Sequence, residues 1–205
     1  MNNQNKNFQV NQQGEEFEFH QLIVSLQDLD WQVSQAANET LLNEGTIVVA
    51  PLIAALNNNN SYLRATILEI LGAIGDGRAI EPIIMLLNDK DDKVREEAAN
   101  ALGRLGAKQA TEPLTKLLFK DGNRYVRRKA AEALTLINDE RSIDTLIEAL
   151  NDEDIFVRAF AAEGLGYFDS EKAVSALMQA QKTETEEIII RTIKESIKRG
   201  GKHIT

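Results

Sequence analysis

The stretch from Asp89 to Gly106 contains a complete structural unit: an acidic turn (Asp89, Asp91, Asp92), a helix, and a glycine stop. The helix carries Val94, Ala98, Ala101, Leu102 and Leu105 at helical spacing, which places them on one apolar face. The same order of residues returns as Asp152 to Asp154, Val157-Arg158, Ala161-Ala162 and Gly164-Leu165-Gly166. A weaker copy lies upstream, in Leu63-Arg64 and Leu71-Gly72-Ala73-Ile74-Gly75. Recurrence at about thirty residues constrains the fold more than any other feature. A single short amphipathic unit cannot bury its apolar face alone, so the units must stack into one array.

Two independent registers define that array. Aligning the residue that opens each second helix gives Val33, Leu63, Val94, Val126, Val157 and Ile190, with gaps of 30 to 33 residues. The first-helix apolar position gives Leu22, Leu52, Ile83, Leu114, Leu146 and Leu177, with gaps of 30 to 32. The chain therefore divides into six helical hairpins, at about 17–46, 47–77, 78–108, 109–140, 141–171 and 172–199. In each turn an Asp or Asn stands five residues before the register position (Asp28, Asn58, Asp89, Asp121, Asp152). A second stands three before it (Asp30, Asn60, Asp91, Asn123, Asp154), where its side chain can accept from the free N–H groups of the second helix. Gly45, Gly75 and Gly106 mark helix ends, and Asn138 and Asp169 occupy the later equivalents. Pro51, Pro82 and Pro113 precede the first-helix register position, and a proline inside a helix predicts a bend there.

Composition removes several classes of chemistry. The 205 residues include no cysteine, which excludes disulfides, thiolate metal sites and a cysteine nucleophile. A formal net charge of −9 argues against a nonspecific grip on nucleic acid or anionic lipid. No apolar run reaches the roughly 18 residues of a membrane span. The start of the chain lacks the basic-then-apolar order of a signal peptide, so the expected location is cytoplasmic. Residues 1–16 are dominated by Asn and Gln around an isolated Phe8 and Val10, and are expected to form a disordered tail. Residues 200–205 form a short basic tail. The two histidines, His20 and His203, lie near opposite ends of an extended array and cannot share a metal.

The Val-type residue is followed by arginine at Arg64, Arg95, Arg127, Arg158 and Arg191, set against the turn aspartates, with Ser34 in that place in the first unit. This pairing, and the junction Gly75-Asp76-Gly77-Arg78-Ala79-Ile80-Glu81-Pro82, resembles the short HEAT repeat in the variant named after the phycobilisome lyases. The resemblance runs from Phe17 to about Lys198. It implies an all-α, right-handed α-solenoid of about six HEAT-like hairpins, with Asp and Arg forming an inter-repeat ladder and the second helices lining the concave face. HEAT-like iron hydroxylases carry repeated His-Glu pairs, whereas here His20 precedes Gln21 and His203 precedes Ile204. HEAT-like DNA glycosylases line the concave face with basic residues, a feature this chain lacks. The last unit places Lys194, Glu195 and Lys198 where earlier units are small and apolar, as a closing repeat does.

Function is read from the concave face. The residue before each register position is Gln32, Tyr62, Lys93, Tyr125 or Phe156, and the sixth residue after it is Glu39, Glu69, Asn100, Glu132 or Glu163. Arg128, Lys129 and Phe160 lie between these columns, with Tyr167 beyond. Aromatics beside charges on a preformed concave surface suit a protein or peptide partner. The candidate partner-binding residues are Tyr62, Glu69, Tyr125, Arg128, Glu132, Phe156, Phe160, Glu163 and Tyr167, with no catalytic residue, metal or cofactor. The resemblance also implies an alternative role as subunit of a phycobilin lyase. In that role the partners would be a phycobiliprotein and a sister HEAT-repeat subunit, and a bilin chromophore would be bound.

Overall fold

A computed structural model describes residues 18–201. The expected tail over 1–16, Phe17, and residues 202–205 with His203 lie outside the described residues. The described residues form twelve α-helices in six consecutive pairs. The first pair is α1 (18–25) and α2 (Trp31–Glu44). Next come α3 (Val49–Ala55) with α4 (Ser61–Ile74), and α5 (Ile80–Leu86) with α6 (Asp92–Arg104). They are followed by α7 (Thr111–Lys120) with α8 (Arg124–Ile137), and α9 (Ile143–Ala149) with α10 (Ile155–Leu165). The last pair is α11 (Glu171–Thr183) and α12 (Glu187–Gly200).

The turn residues form a two-step capping relay. Asp89 and its equivalents accept from the backbone N–H two residues on, at Asp91 and its equivalents. The side chains at that second position in turn accept from the first turn of the second helix, so Asp30, Asn60, Asp91, Asn123 and Asp154 all cap as expected. At the other end Gly75 and Gly106 take the left-handed conformation, and Asn138 does so at φ 49°. Asp169 does not: α10 ends earlier, at Gly166, in the right-handed region.

The predicted ladder is present between repeats. The Arg64 guanidinium donates to Asp89 of the next turn (2.7 Å), Arg95 to Asp121 (2.7 Å), Arg127 to Asp152 (3.2 Å) and Arg158 to Glu184 (2.8 Å). Each arginine also donates through Nη1 to a carbonyl of its own turn, at Asn58, Asp89, Asp121 or Asp152. One side chain thus ties its own hairpin to the next through charge-assisted bonds. A second set of ties crosses the repeat junctions. Asp76 holds Arg78, which reaches back to the Thr46 carbonyl (2.7 Å), and Asp139 holds Arg141, which reaches the Lys108 carbonyl (2.6 Å).

Three sequence expectations are corrected at the level of register and helix geometry. In the last repeat the buried position is Ile189, and Glu184, the ladder acceptor, stands five residues before it. The register residue is therefore Ile189, not Ile190; the arginine slot holds Ile190, and Arg191 is exposed. Val33 is 40% exposed, and the first-helix position in that repeat is filled by Ile23 and Leu26, with Leu22 only half-buried. The prolines sit in the first turns of α3, α5 and α7, where their missing N–H would have had no intrahelical partner. The change of direction falls before them, at the 3₁₀ turns Gly45–Val48, Gly77–Ala79 and Lys108–Ala110.

The curvature follows from residue size. A Cβ built on Gly72 would lie 2.9 Å from Ala101 Cα, and one on Gly103 equally close to Ala133 Cα. Gly164 abuts Thr135, and Gly166 abuts Ser196. Backbones of successive second helices therefore meet where side chains are absent or small. The first helices stand further apart, leaving hollows of about 600 Å³ between α1 and α3 and about 560 Å³ between α5 and α7. Second helices drawn together and first helices spread apart put the concave face on the second helices. One continuous core, with Leu52, Ile67, Leu68, Leu71, Leu102, Leu114 and Leu118 fully buried, runs through the stack.

Candidate functional site

The predicted aromatic column is fixed by helix capping. Tyr62, Tyr125 and Phe156 each donate their backbone N–H to the cap residue at Asn60, Asn123 or Asp154, which locks the base of each ring to a helix start. Their side chains nevertheless face solvent: Tyr62 is 62% exposed, Tyr125 56% and Phe156 51%. Large exposed rings with only two side-chain torsions each present apolar surface at a small conformational entropy cost on binding.

Arg128 gathers two of these rings. Its guanidinium lies over Phe156 (4.2 Å to the ring centroid) and Tyr125 (5.0 Å), and donates twice to the Asp154 carboxylate at 2.8 and 2.7 Å. Bonding to Arg128 holds the Asp154 carboxyl below its ordinary range, and the α10 cap bonds act in the same direction. Arg128 is thus a strut between repeats, parallel to the Arg127 rung, and its charge is already matched. What stays exposed here is the outer surface of the rings that it clamps.

A second group lies one turn further along the same helices. Glu132, Thr135 and Leu136 of α8, Asn138, Phe160 and Glu163 of α10, and Tyr167 line an open hollow of about 350 Å³. Its floor is tied by the Thr135 hydroxyl, which donates to the Phe160 carbonyl at 3.0 Å. The Tyr167 hydroxyl donates to Glu163 at 3.0 Å, and that carboxylate raises the phenol pKa. Arg199 of α12 lies over the Tyr167 ring at 4.4 Å, and Lys129 pairs with Glu132 at 2.8 Å.

The structure therefore brings together seven of the nine predicted residues: Tyr125, Arg128 and Phe156 in one group, Glu132, Phe160, Glu163 and Tyr167 in the next. Tyr62 and Glu69 stand apart on α4. Between them and the clusters α6 presents Lys93, paired with Glu96 and Glu97, and Asn100, which bonds Glu97. Two contributors were not foreseen. Leu136 is exposed at the rim of the hollow; its position four residues after Glu132, on the same helix face, was the available signal. Arg199 reaches Tyr167 only because α12 stacks on α10, and nothing in the repeat pattern marks it. Leu29 and Trp31, in the first repeat, are also exposed. Among the described residues no group of three or more His, Asp or Glu side chains is placed to hold a metal ion, and no helix is long and apolar enough to cross a membrane.

Comparison with known proteins places this architecture. No curated protein sequence matches the chain. Among solved structures, an engineered protein aligns at 21% identity over 90% of this chain and 96% of its own, with a TM-score of 0.60. A designed armadillo repeat protein in complex with the peptide (KR)4 aligns at 18% identity over 88% of this chain and 98% of its own, TM-score 0.60. The CpcE–CpcF complex of phycocyanin lyase from Nostoc sp. PCC7120 aligns at 20% identity over 87% of this chain and 93% of that one, TM-score 0.50. At such identities the likeness concerns the fold. The family model for HEAT repeats matches residues 49–118 and 111–198, which together span most of the chain. Periodicity, ladder and family match converge: the protein belongs to the HEAT repeat family.

Proposed function

We propose that this protein is a non-enzymatic scaffold that docks a partner protein or peptide on its concave face, centred on α8 and α10. The observation that carries this reading is the set of exposed rings, Tyr125, Phe156 and Tyr167, each stacked by a guanidinium, beside the half-buried Phe160. Rigid aromatic surface of this kind contributes most of the binding energy at protein interfaces. Replacing Phe156 and Phe160 together by alanine is expected to abolish partner capture while the melting transition remains cooperative. Capture undiminished in the double variant contradicts the assignment of this face.

A second reading makes the chain one subunit of a phycobilin lyase, its site completed by a sister subunit. The repeat's resemblance supports it, as does the shared fold with the phycocyanin lyase complex. This chain has no cysteine to hold a bilin covalently, so the acceptor thiol would belong to the phycobiliprotein. Mixing the protein with bilin and apo-phycobiliprotein, with and without a candidate sister subunit, tests it. An absorbance shift that requires this chain supports the reading, and no shift in either mixture removes it.

A further inference from the structure

From the hollow between α8 and α10 we infer that it is the recognition pocket for a basic side chain, arginine or lysine, of the docked partner; this rests on the docking reading above. The pocket has two kinds of wall. Phe160, Leu136 and the Tyr167 ring supply apolar surface that suits the methylene stem of a long side chain. Glu132 and Glu163 supply two carboxylates at its edge, one repeat apart. An apolar partner side chain would cover carboxylate oxygens and leave their remaining acceptor capacity unused, and an acidic one would be repelled. A cation with an aliphatic stem satisfies both walls.

The surrounding charges are compatible with that guest. Glu163 is bonded by a neutral phenol, the Tyr167 hydroxyl, and retains acceptor capacity on its carboxylate. Glu132 is bridged by Lys129 three residues earlier on its own helix, a partly exposed pair that uses one carboxylate oxygen. The same face already shows its preference, because Arg128 stacks on Phe156 and Tyr125 and Arg199 stacks on Tyr167. A partner guanidinium entering between Phe160 and the two glutamates would extend this series, in a protein whose net charge of −9 draws cationic partners toward it.

The test is an NMR titration of the full-length protein with an N-acetylated, C-amidated octapeptide of alternating Arg and Ser. The result expected is saturable shifts at amides of 132–138 and 160–167. Affinity should fall by about tenfold or more in the Glu132→Gln/Glu163→Gln double variant, the loss of two charge-assisted contacts. The same peptide with citrulline at each Arg should bind equally weakly to both proteins. No shifts at these amides, or equal affinity in the double variant, or equal affinity of the citrulline peptide, overturns the pocket assignment. The docking reading fails separately: it falls when partner capture survives Phe156→Ala/Phe160→Ala. Capture lost in that variant but kept in Glu132→Gln/Glu163→Gln sinks the basic-side-chain pocket alone.

Discussion

Arg64 and Arg128 follow their register positions by one and two residues, yet they do different jobs, and the difference lies in what each guanidinium reaches. Arg64 turns into the stack and meets Asp89, with side chains 6% and 9% exposed. Arg64→Ala would leave the Asp89 carboxylate buried without its cation, and removing one member of such a pair costs about 3–5 kcal/mol. Chemical denaturation should show that loss, whereas Arg104→Ala, an exposed residue outside the ladder, should change stability by less than about 0.5 kcal/mol. Arg128 lies along the surface and clamps two rings. The sequence indicated that Arg127 and its equivalents are structural, because they recur in the middle units. It gave no hint that Arg128 is also tied, since its partner Asp154 lies 26 residues away in the next turn and none of the first five repeats but its own has arginine there; in the last repeat Arg191 takes the slot and is exposed. Arg199 was illegible for the same reason: its contact with Tyr167 exists only after repeats stack.

At the scale of single helices, the second-helix contacts set tight limits on size. Gly103→Ala gains about 1 kcal/mol of helix propensity. It also forces a Cβ to within 2.9 Å of the Ala133 backbone, and overpacking of that kind costs about 1–3 kcal/mol. The variant should melt at a lower temperature than the wild type, while Gly122→Ala, where an added Cβ meets nothing within 4 Å, should not. The starts of the second helices in the first five repeats were readable because each depends on a local side-chain cap, and Asn123→Ala should cost about 1 kcal/mol. The proline bends were misplaced because sequence alone does not show that a 3₁₀ turn opens each of those units and moves the proline into the first turn of the helix. The last register slipped by one residue because Ile188, Ile189 and Ile190 are equivalent as letters. Only packing against α10 and the Glu184 acceptor distinguishes the middle one.

Taken as a whole molecule, the array was legible from its period, since stacking repeats of this length is the one way to bury every apolar face. Its stability is linked to pH through the ladder. Burial works against the Asp121 carboxylate, but its bonds to Arg95 and the Asn123 N–H keep its pKa below the ordinary value. Arg158 lowers that of Glu184, and Arg141 brings Asp139 down to about 2. Groups whose folded pKa is depressed contribute fully above their unfolded values of about 4, and that contribution is lost as pH falls toward about 2. The midpoint of thermal unfolding should therefore drop steeply between about pH 4 and pH 2. A flat profile there would contradict the ladder's role.

The ladder is also uneven along the stack. Ser34 replaces arginine in the first repeat and donates to Leu26 of its own hairpin, and α2 buries only Ala37 and Leu41. Amide exchange should be fastest in 18–44 and slowest in α6 and α8.

The central claim is that α8 and α10 present the docking face, and quantitative capture from extracts of the source cells tests it most directly. The wild type would be compared with Phe156→Ala/Phe160→Ala and with Met85→Ala, which removes an exposed apolar side chain from the first-helix side. The expected outcome is a protein retained equally by wild type and Met85→Ala and reduced at least about tenfold by the double variant, all three remaining folded. Equal retention by all three, or loss in Met85→Ala alone, would contradict it.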